Sequence, residues 1–564
     1  MKRIRIPFLV VAFSFMLVGM AFAVDIPNIT TWTQSTGVGG GGPGRGDVLL
    51  GPLYDVRNLI DTNLPLPYGT QIQQQFTLIS IVNTDNTFGV VGRLRFREWK
   101  RSHECLDIDI PLTSNDVWVA EISRMATGGP VLKSSDRWIS NIPNPDLLAS
   151  PFFADRIDLT DFGLGVGGGI PFRANQILQF EPSLSVADAL ARCEYGYWEF
   201  LGEERFLSIV PSSKPPTAQW TINRIPLPCT NPTFDCRDVQ DVLMGNAVII
   251  RPDQAISHQY NTNALADFAV DSIGIYSPPT GDRPNLRDNV QGELLPGFLT
   301  PNPGIGGIDQ LEAILSKRFV LYQYSNGVVD TTPMSTSVVV TFPTKWFHYL
   351  NTAPTFFNVG AAWPYQPPFT GNCEVTGDCS TGTGGGEIVN VKVWDREENT
   401  FTTKGQIPIS PPEIITPGLP KLPYEVNVIG IDPHDPGHII FRNNVAIATQ
   451  NLTSGQTFNT GWGFIDLSPR RGFVTNDPRT IGQGEYPGQV PAFNGFNFFG
   501  NLFTQYRGLP AIGVVMTEFF NDSVEGYYGN TVPWQYAVDF GSAPSLSSAE
   551  PIALDFPPNG AYYK

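Results

Sequence analysis

Five histidines, His103, His258, His348, His434 and His438, are all that the chain has of the residue that most often serves as a general base or a metal ligand near neutral pH. Two of them fall in Asp432-Pro433-His434-Asp435-Pro436-Gly437-His438, where two carboxylates and two imidazoles share seven residues. That grouping has the chemistry of a metal site, but Asp-Pro and Pro-Gly are also ordinary turn formers, and the directions proline fixes need not converge. No Gly-x-Ser-x-Gly and no His-Glu-x-x-His occurs, so the common nucleophile and zinc-hydrolase patterns are missing. Asp395, Glu397 and Glu398 in WDREEN supply acids beside a tryptophan able to stack on a sugar. Glycoside cleavage needs two acids facing one cleft. The plainer reading of the same residues is a polar strand end entering a turn.

Six cysteines, Cys105, Cys193, Cys229, Cys236, Cys373 and Cys379, form an even set. In an exported chain they read as disulfides. CTNPTFDC closes Cys229 on Cys236, CEVTGDC closes Cys373 on Cys379, and Cys105 is left for Cys193. A zinc site is the competing reading, but structural zinc pairs usually stand closer together than these.

Two alternating arginines open a third possibility. Arg95 and Arg97 precede Asp107 and Asp109 across a short polar gap. With a turn centred on Ser102, Arg97 faces Asp107 and Arg95 faces Asp109, while Leu94 and Phe96 share the other face with Leu106, Ile108 and Ile110. Cross-strand ion pairs of this kind mainly fix register. An arginine cluster for an anionic ligand is the alternative.

The elements that must carry these residues are strands. Period-two alternation bounded by Asn, Asp, Gly and Pro runs through FTLISIV from Phe76, GRLRFRE from Gly92, CLDIDI from Cys105 and VWVAEI from Val117. It returns in SVVVTFPTKW from Ser337, EIVNVKVW from Glu387, YEVNVIGI from Tyr424, GWGFIDL from Gly461 and GLPAIGVVMTEF from Gly508. Two short helices are expected, at SVADALARC behind a Ser185 cap and at DQLEAILSKR, opened by Asp309 and Glu312. RLRFREWK at Arg93 echoes NVKVWDRE at Asn390, and the same offset of 297 lays Ile110-Pro111 on Ile407-Pro408. That repeat points to two related sandwiches.

The amino terminus carries Lys2, Arg3 and Arg5, an apolar run to about Ala21, and Ala21-Phe22-Ala23. This is the grammar of a secretory signal cut after Ala23. Thr36 to Gly46 reads as a glycine-rich tether, and Arg45-Gly46-Asp47 spells a tripeptide known from cell adhesion that is too short to carry weight. The expected division of the 564 residues is 1–23 signal peptide, 24–46 linker, 47–255 first β-sandwich, 256–309 connector and 310–564 second β-sandwich. Only 16% of residues are charged, against 12% aromatic and 56 glycines and 50 prolines, a composition of short strands joined by long ordered loops. A net charge of -17, about -20 without the leader, excludes binding to a phosphate backbone. No stretch past the leader is apolar for long enough to form a spanning helix. PAFNGFNFFGNLF, from Pro491 to Phe503, reads as a loop folded over a sheet or, if exposed, an assembly patch.

GDVLLGPLYDVRN, TLISIVNTDN, RLRFREWKRSHECLDIDIPLTSNDVWVAEI, EYGYWEFLGE, VVVTFPTKWFHY and GWGFIDLS, in that order, resemble blocks of a family of uncharacterised secreted bacterial proteins. The resemblance implies export, a bacterial source and a β-rich fold, and brings no catalytic or binding residues. The expectation is therefore an all-β, mainly antiparallel protein of two sandwiches with long loops and a few short helices. It is secreted or held at the cell surface or in the periplasm, and has a structural, assembly or adhesive role with no cofactor. Its partners are itself or other envelope components, with no nucleic acid and no membrane span. Carbohydrate binding or glycoside chemistry, and a calcium-stabilised module, are the alternatives.

Overall fold

A computed structural model describes residues 44–60, 72–125, 128–134, 169–211, 220–225, 239–252, 256–265, 316–317, 319–325, 327–329, 332–348, 387–396, 400–402, 421–431, 445–447, 459–467, 509–521 and 526–533. It also describes positions 268, 285–286, 311, 315 and 369. Among them the protein is all-β and mostly antiparallel. No helix of the described residues is long and apolar enough to cross a membrane.

Nine strands of the first half are numbered here as β1 (Val48–Asp55), β2 (Phe76–Asn83), β3 (Gly89–Glu98), β4 (Glu104–Leu112), β5 (Val117–Arg124), β6 (Pro130–Ser134), β7 (Tyr195–Pro211), β8 (Leu243–Arg251) and β9 (Ile256–Asn261). Nine more follow as β10 (Phe319–Ser325), β11 (Thr332–Thr341), β12 (Asn390–Asp395), β13 (Thr400–Thr402), β14 (Val426–Ile431), β15 (Val445–Ile447), β16 (Thr460–Asp466), β17 (Ile512–Asn521) and β18 (Gly526–Pro533). One first-half sheet runs β1-β7-β3-β4 and the other β9-β8-β2-β5-β6, each with short flanking strands. The second half runs β10-β16-β12-β13 and β18-β17-β11-β14-β15. Adding nine to each first-half strand number reproduces the second half, so the two halves share one topology. The pairing direction departs at one place: β5 meets β6 antiparallel, whereas β14 meets β15 parallel.

Two local details fix which residues correspond. Gly196 and Gly461 occupy the same place: a Cβ on either would lie 1.9 Å from a carbonyl oxygen across the ladder, of Arg97 in one half and Trp394 in the other. Only glycine permits that approach. Arg97 therefore matches Trp394 at the offset of 297 seen in the sequence, and Tyr197 matches Trp462. On the other sheet the ladders close alike, with the Asn83 N–H donating to Asp116 O at 3.0 Å and the Phe342 N–H donating to Glu425 O at 2.7 Å. Val117 and Val119 thus match Val426 and Val428.

Alternation decides the cores. Leu94, Phe96, Leu106, Ile108 and Ile110 point between the first-half sheets with Ile79, Ile81, Trp118 and Ile249. Val391, Val393 and Ile465 meet Val338, Val340 and Ile429 in the second half. Short helices α1 (Asn175–Phe180) and α2 (Val186–Arg192) pack on the first half. Ser185 caps α2 as expected, accepting the Asp188 N–H at 3.1 Å. The sequence gives no signal for α1, which lacks a side-chain cap. Leu311 and Leu315 are helical and buried with Leu201 and Ile512, while Asp309 and Glu312 lie outside the described residues.

The halves are joined by an apolar seam. Val339, Val426, Val428, Val514 and Met516, on the outward side of β11, β14 and β17, are continuous with the first-half core. Around them Thr341 Oγ1 donates to Pro52 O at 2.7 Å, the Val426 N–H donates to Trp99 O at 3.0 Å, and Tyr424 stands edge-on to Trp99 at 4.4 Å. Arg251 pairs with Glu518, whose Oε1 also lies 3.2 Å from Nε2 of the buried His258.

Candidate functional site

The arginine hairpin is the densest charge cluster among the described residues. Its turn is not centred on Ser102. The Glu98 carboxylate accepts the Lys100 and Arg101 N–H groups at 2.7 and 2.8 Å, Ser102 takes the left-handed conformation with φ 54°, and the Glu98 N–H donates to His103 O. This compact turn shifts the register by two from the expected one, so Arg93 faces Asp109 and Arg95 faces Asp107, and an irregularity between Phe96 and Arg97 adds one more, so Arg97 faces Glu104. The expected apolar face is retained, with Phe96 opposite Leu106 and Leu94 opposite Ile108.

On the outer face β7 adds acids from about a hundred residues away. Glu199 Oε1 receives Arg97 Nε at 2.8 Å and Arg95 Nη1 at 3.2 Å. Arg95 also meets Glu104 at 3.0 Å and Asp107 at 3.4 Å, and Arg93 meets Asp109 at 2.8 Å, Asp107 at 3.1 Å and Glu203 at 3.6 Å. Glu203 lies on this face by the same alternation that places Glu199 there, at the bulge of β7 between Gly202 and Glu204. The three guanidinium groups are buried and all bound by acids.

The acids outnumber the bases, and their proton affinities follow. Burial raises the Glu203 carboxyl well above the ordinary range, repulsion from Asp109 adds to it, and Arg93 opposes only in part. Asp109 is raised, again chiefly by burial. Burial works against the charged form of Arg93, but Asp107, Asp109 and Glu203 outweigh it and raise its pKa. At the turn, burial would raise Glu98; Arg192, from the end of α2, outweighs it and holds Glu98 ionised. Cys105 and Cys193 bridge beside this network, as expected from the cysteine count. Cys229, Cys236, Cys373 and Cys379 lie outside the described residues.

His103 at the hairpin tip stacks on Phe180 at 4.9 Å and meets Trp346 edge-on at 6.4 Å. Burial lowers its pKa to about 4, so it is neutral at ordinary pH. His434, His438 and the surrounding loop, Glu397, Glu398, and Pro491 to Phe503 lie outside the described residues, as does the side chain of His348. Among the described residues no group of three or more His, Cys, Asp or Glu is placed to hold a metal ion.

The matched outer face of the second half is finished differently. Trp394 and Trp462 stack face to face across β12 and β16, centroids 3.8 Å apart and 4° from parallel, with Phe464 edge-on to Trp394 at 6.4 Å. Trp462 is 37% exposed, and Gln323 beside it on β10 is exposed as well. GWGF explains the geometry: Gly463 leaves its inner side to the Tyr322 ring, 2.3 Å from where a Cβ would stand. Asp395 follows Trp394 directly on a strand and so points to the opposite, inner face, where it is buried. The tryptophan and that acid do not share a cleft. No family model, curated protein or solved structure matches the chain. Three groups of interest were not singled out from sequence: Glu199 and Glu203, whose partners are remote in the chain, and Trp462, whose alternation with two glycines was the available signal.

Proposed function

We propose that this is an exported, non-enzymatic structural protein of the cell surface or extracytoplasmic space, acting as an assembly unit. The observation that carries the reading is the pattern of exposure. The charged face of the first half is neutralised by its own ion pairs and partly covered by the second half, while large apolar side chains stand exposed on the outer faces of regular strands, Val117 at 54%, Val119 at 43% and Trp462 at 37%. Apolar groups grouped on a flat, hydrogen-bonded face are a usual mark of a contact surface. The Cys105–Cys193 bridge fits an oxidising compartment, and the basic, apolar leader supplies a route there. Purified protein lacking the leader, followed by size-exclusion chromatography with light scattering and by electron microscopy, is expected to show ordered oligomers.

A second reading, carbohydrate binding, is favoured by the stacked Trp394–Trp462 pair, since an indole with one open face and a neighbouring amide suits a neutral sugar. A monodisperse monomer that binds a glycan array through Trp462 would select it.

A further inference from the structure

The repeat of one topology gives the exposed residues an address. In the second half, Val426 and Val428 are fully buried because the outward face of β11, β14 and β17 is the face that docks on the first half. Their counterparts Val117 and Val119 belong to the matching face of the first half, made by β2, β5 and β8, where Leu78, Val82, Met244 and Val248 stand half-buried around them. Among the described residues, nothing is docked on this face of the first half.

The receiving surface is repeated too. In the first half it includes Trp99, covered by Tyr424, and Tyr197, whose hydroxyl donates to Pro343 O at 3.2 Å from the second half. The counterpart of Tyr197 is Trp462, and that of Trp99 is Arg396; both are exposed. Among the described residues each chain thus presents one uncovered docking face and one uncovered receiving face at matching places, with Ser80 and Asn246 standing where the seam has Val339 and Val514.

We infer that copies of this chain associate head to tail, the Val117–Val119 face of one copy seated on the Trp394–Trp462 face of the next, repeating between chains the contact that joins the two halves within each chain. The inference rests on the assembly reading above and names its partner and geometry. A contact between two different surfaces does not close on itself at two copies, so it propagates into chains or rings. Mature copies, each carrying a charge of about -20 without Lys2, Arg3 and Arg5, repel one another at low salt, and association is expected to tighten as ionic strength rises.

Val119→Glu and Trp462→Glu, each an exposed position, test this in the full mature chain, with circular dichroism and thermal unfolding confirming the fold. Light scattering should give multimers for the wild type and the mass of one chain for each variant alone. An equimolar mixture of the two variants should recover a complex of two chains and stop there, since each retains the face the other lacks. Multimers that persist in both variants would keep the assembly reading and overturn this interface. A wild type that is monomeric at every concentration would overturn both. A monomer whose tryptophan fluorescence responds to neutral oligosaccharides, with the response lost in Trp462→Glu, would assign the face to sugar instead.

Discussion

On β3 and β7 the outer side chains are Arg97 beside Tyr197 and Arg95 beside Glu199; on β12 and β16 the same places hold Trp394 beside Trp462, with Phe464 next in line. Backbone, pairing and even the close glycine contact are shared, yet one face is charged and sealed and the other aromatic and partly open. The contrast teaches what an outer sheet face needs. Buried guanidinium groups are tolerable only when acids from neighbouring strands reach them, here Asp107 and Asp109 from β4 and Glu199 and Glu203 from β7. A face left toward water needs no such partners, and a stacked indole pair holds two strands together without burying a charge.

The largest way to break the comparison is to remove the acid that two arginines share. Glu199→Leu leaves Arg95 and Arg97 short of a carboxylate in a buried site, and urea unfolding should show a loss of about 3–5 kcal/mol. Converting Cys105 and Cys193 both to Ala opens the 88-residue loop beside the ladder and should lower stability by about 2–5 kcal/mol in the same measurement. On the aromatic side, Trp394→Ala removes one stacked ring from a half-open face and should cost about 1–2 kcal/mol. A loss from Trp394→Ala equal to that from Glu199→Leu would erase the distinction between the two faces.

Glu203 sharpens the comparison through pH. Burial first, and Asp109 second, raise its carboxyl well above the unfolded value of 4.5, so the folded protein keeps a proton that the unfolded chain gives up. That contribution is complete below about pH 4.5 and is lost as pH rises through the folded-state value. Glu203→Gln, which mimics the protonated form, should flatten the decline of stability with rising pH and be the more stable protein on the alkaline side. Thermal melts at a series of pH values read this directly. A decline as steep in Glu203→Gln as in the wild type would mean that another group titrates.

Much of this was legible in local patterns. Alternation placed the strands, Ser185 announced α2, elimination paired Cys105 with Cys193, and the echo at offset 297 led to matching strands. The hairpin register was not legible, because it turned on which N–H groups the Glu98 carboxylate captures and on Ser102 entering the left-handed region. Glu199 and Glu203 were hidden for a different reason: their partners are remote in sequence, and only the placing of β7 against β3 brings them to the arginines.

The sequence by itself determined that the chain folds as antiparallel sheets, because a period of two sets which side chains can be buried wherever strands form. Only the tertiary structure decided what each outer face meets. Val119 and Val428 have the same side chain in matching strands, yet one stands in the open and the other lies at the seam. Burial is a property of the neighbour that arrives, and no local pattern records its arrival.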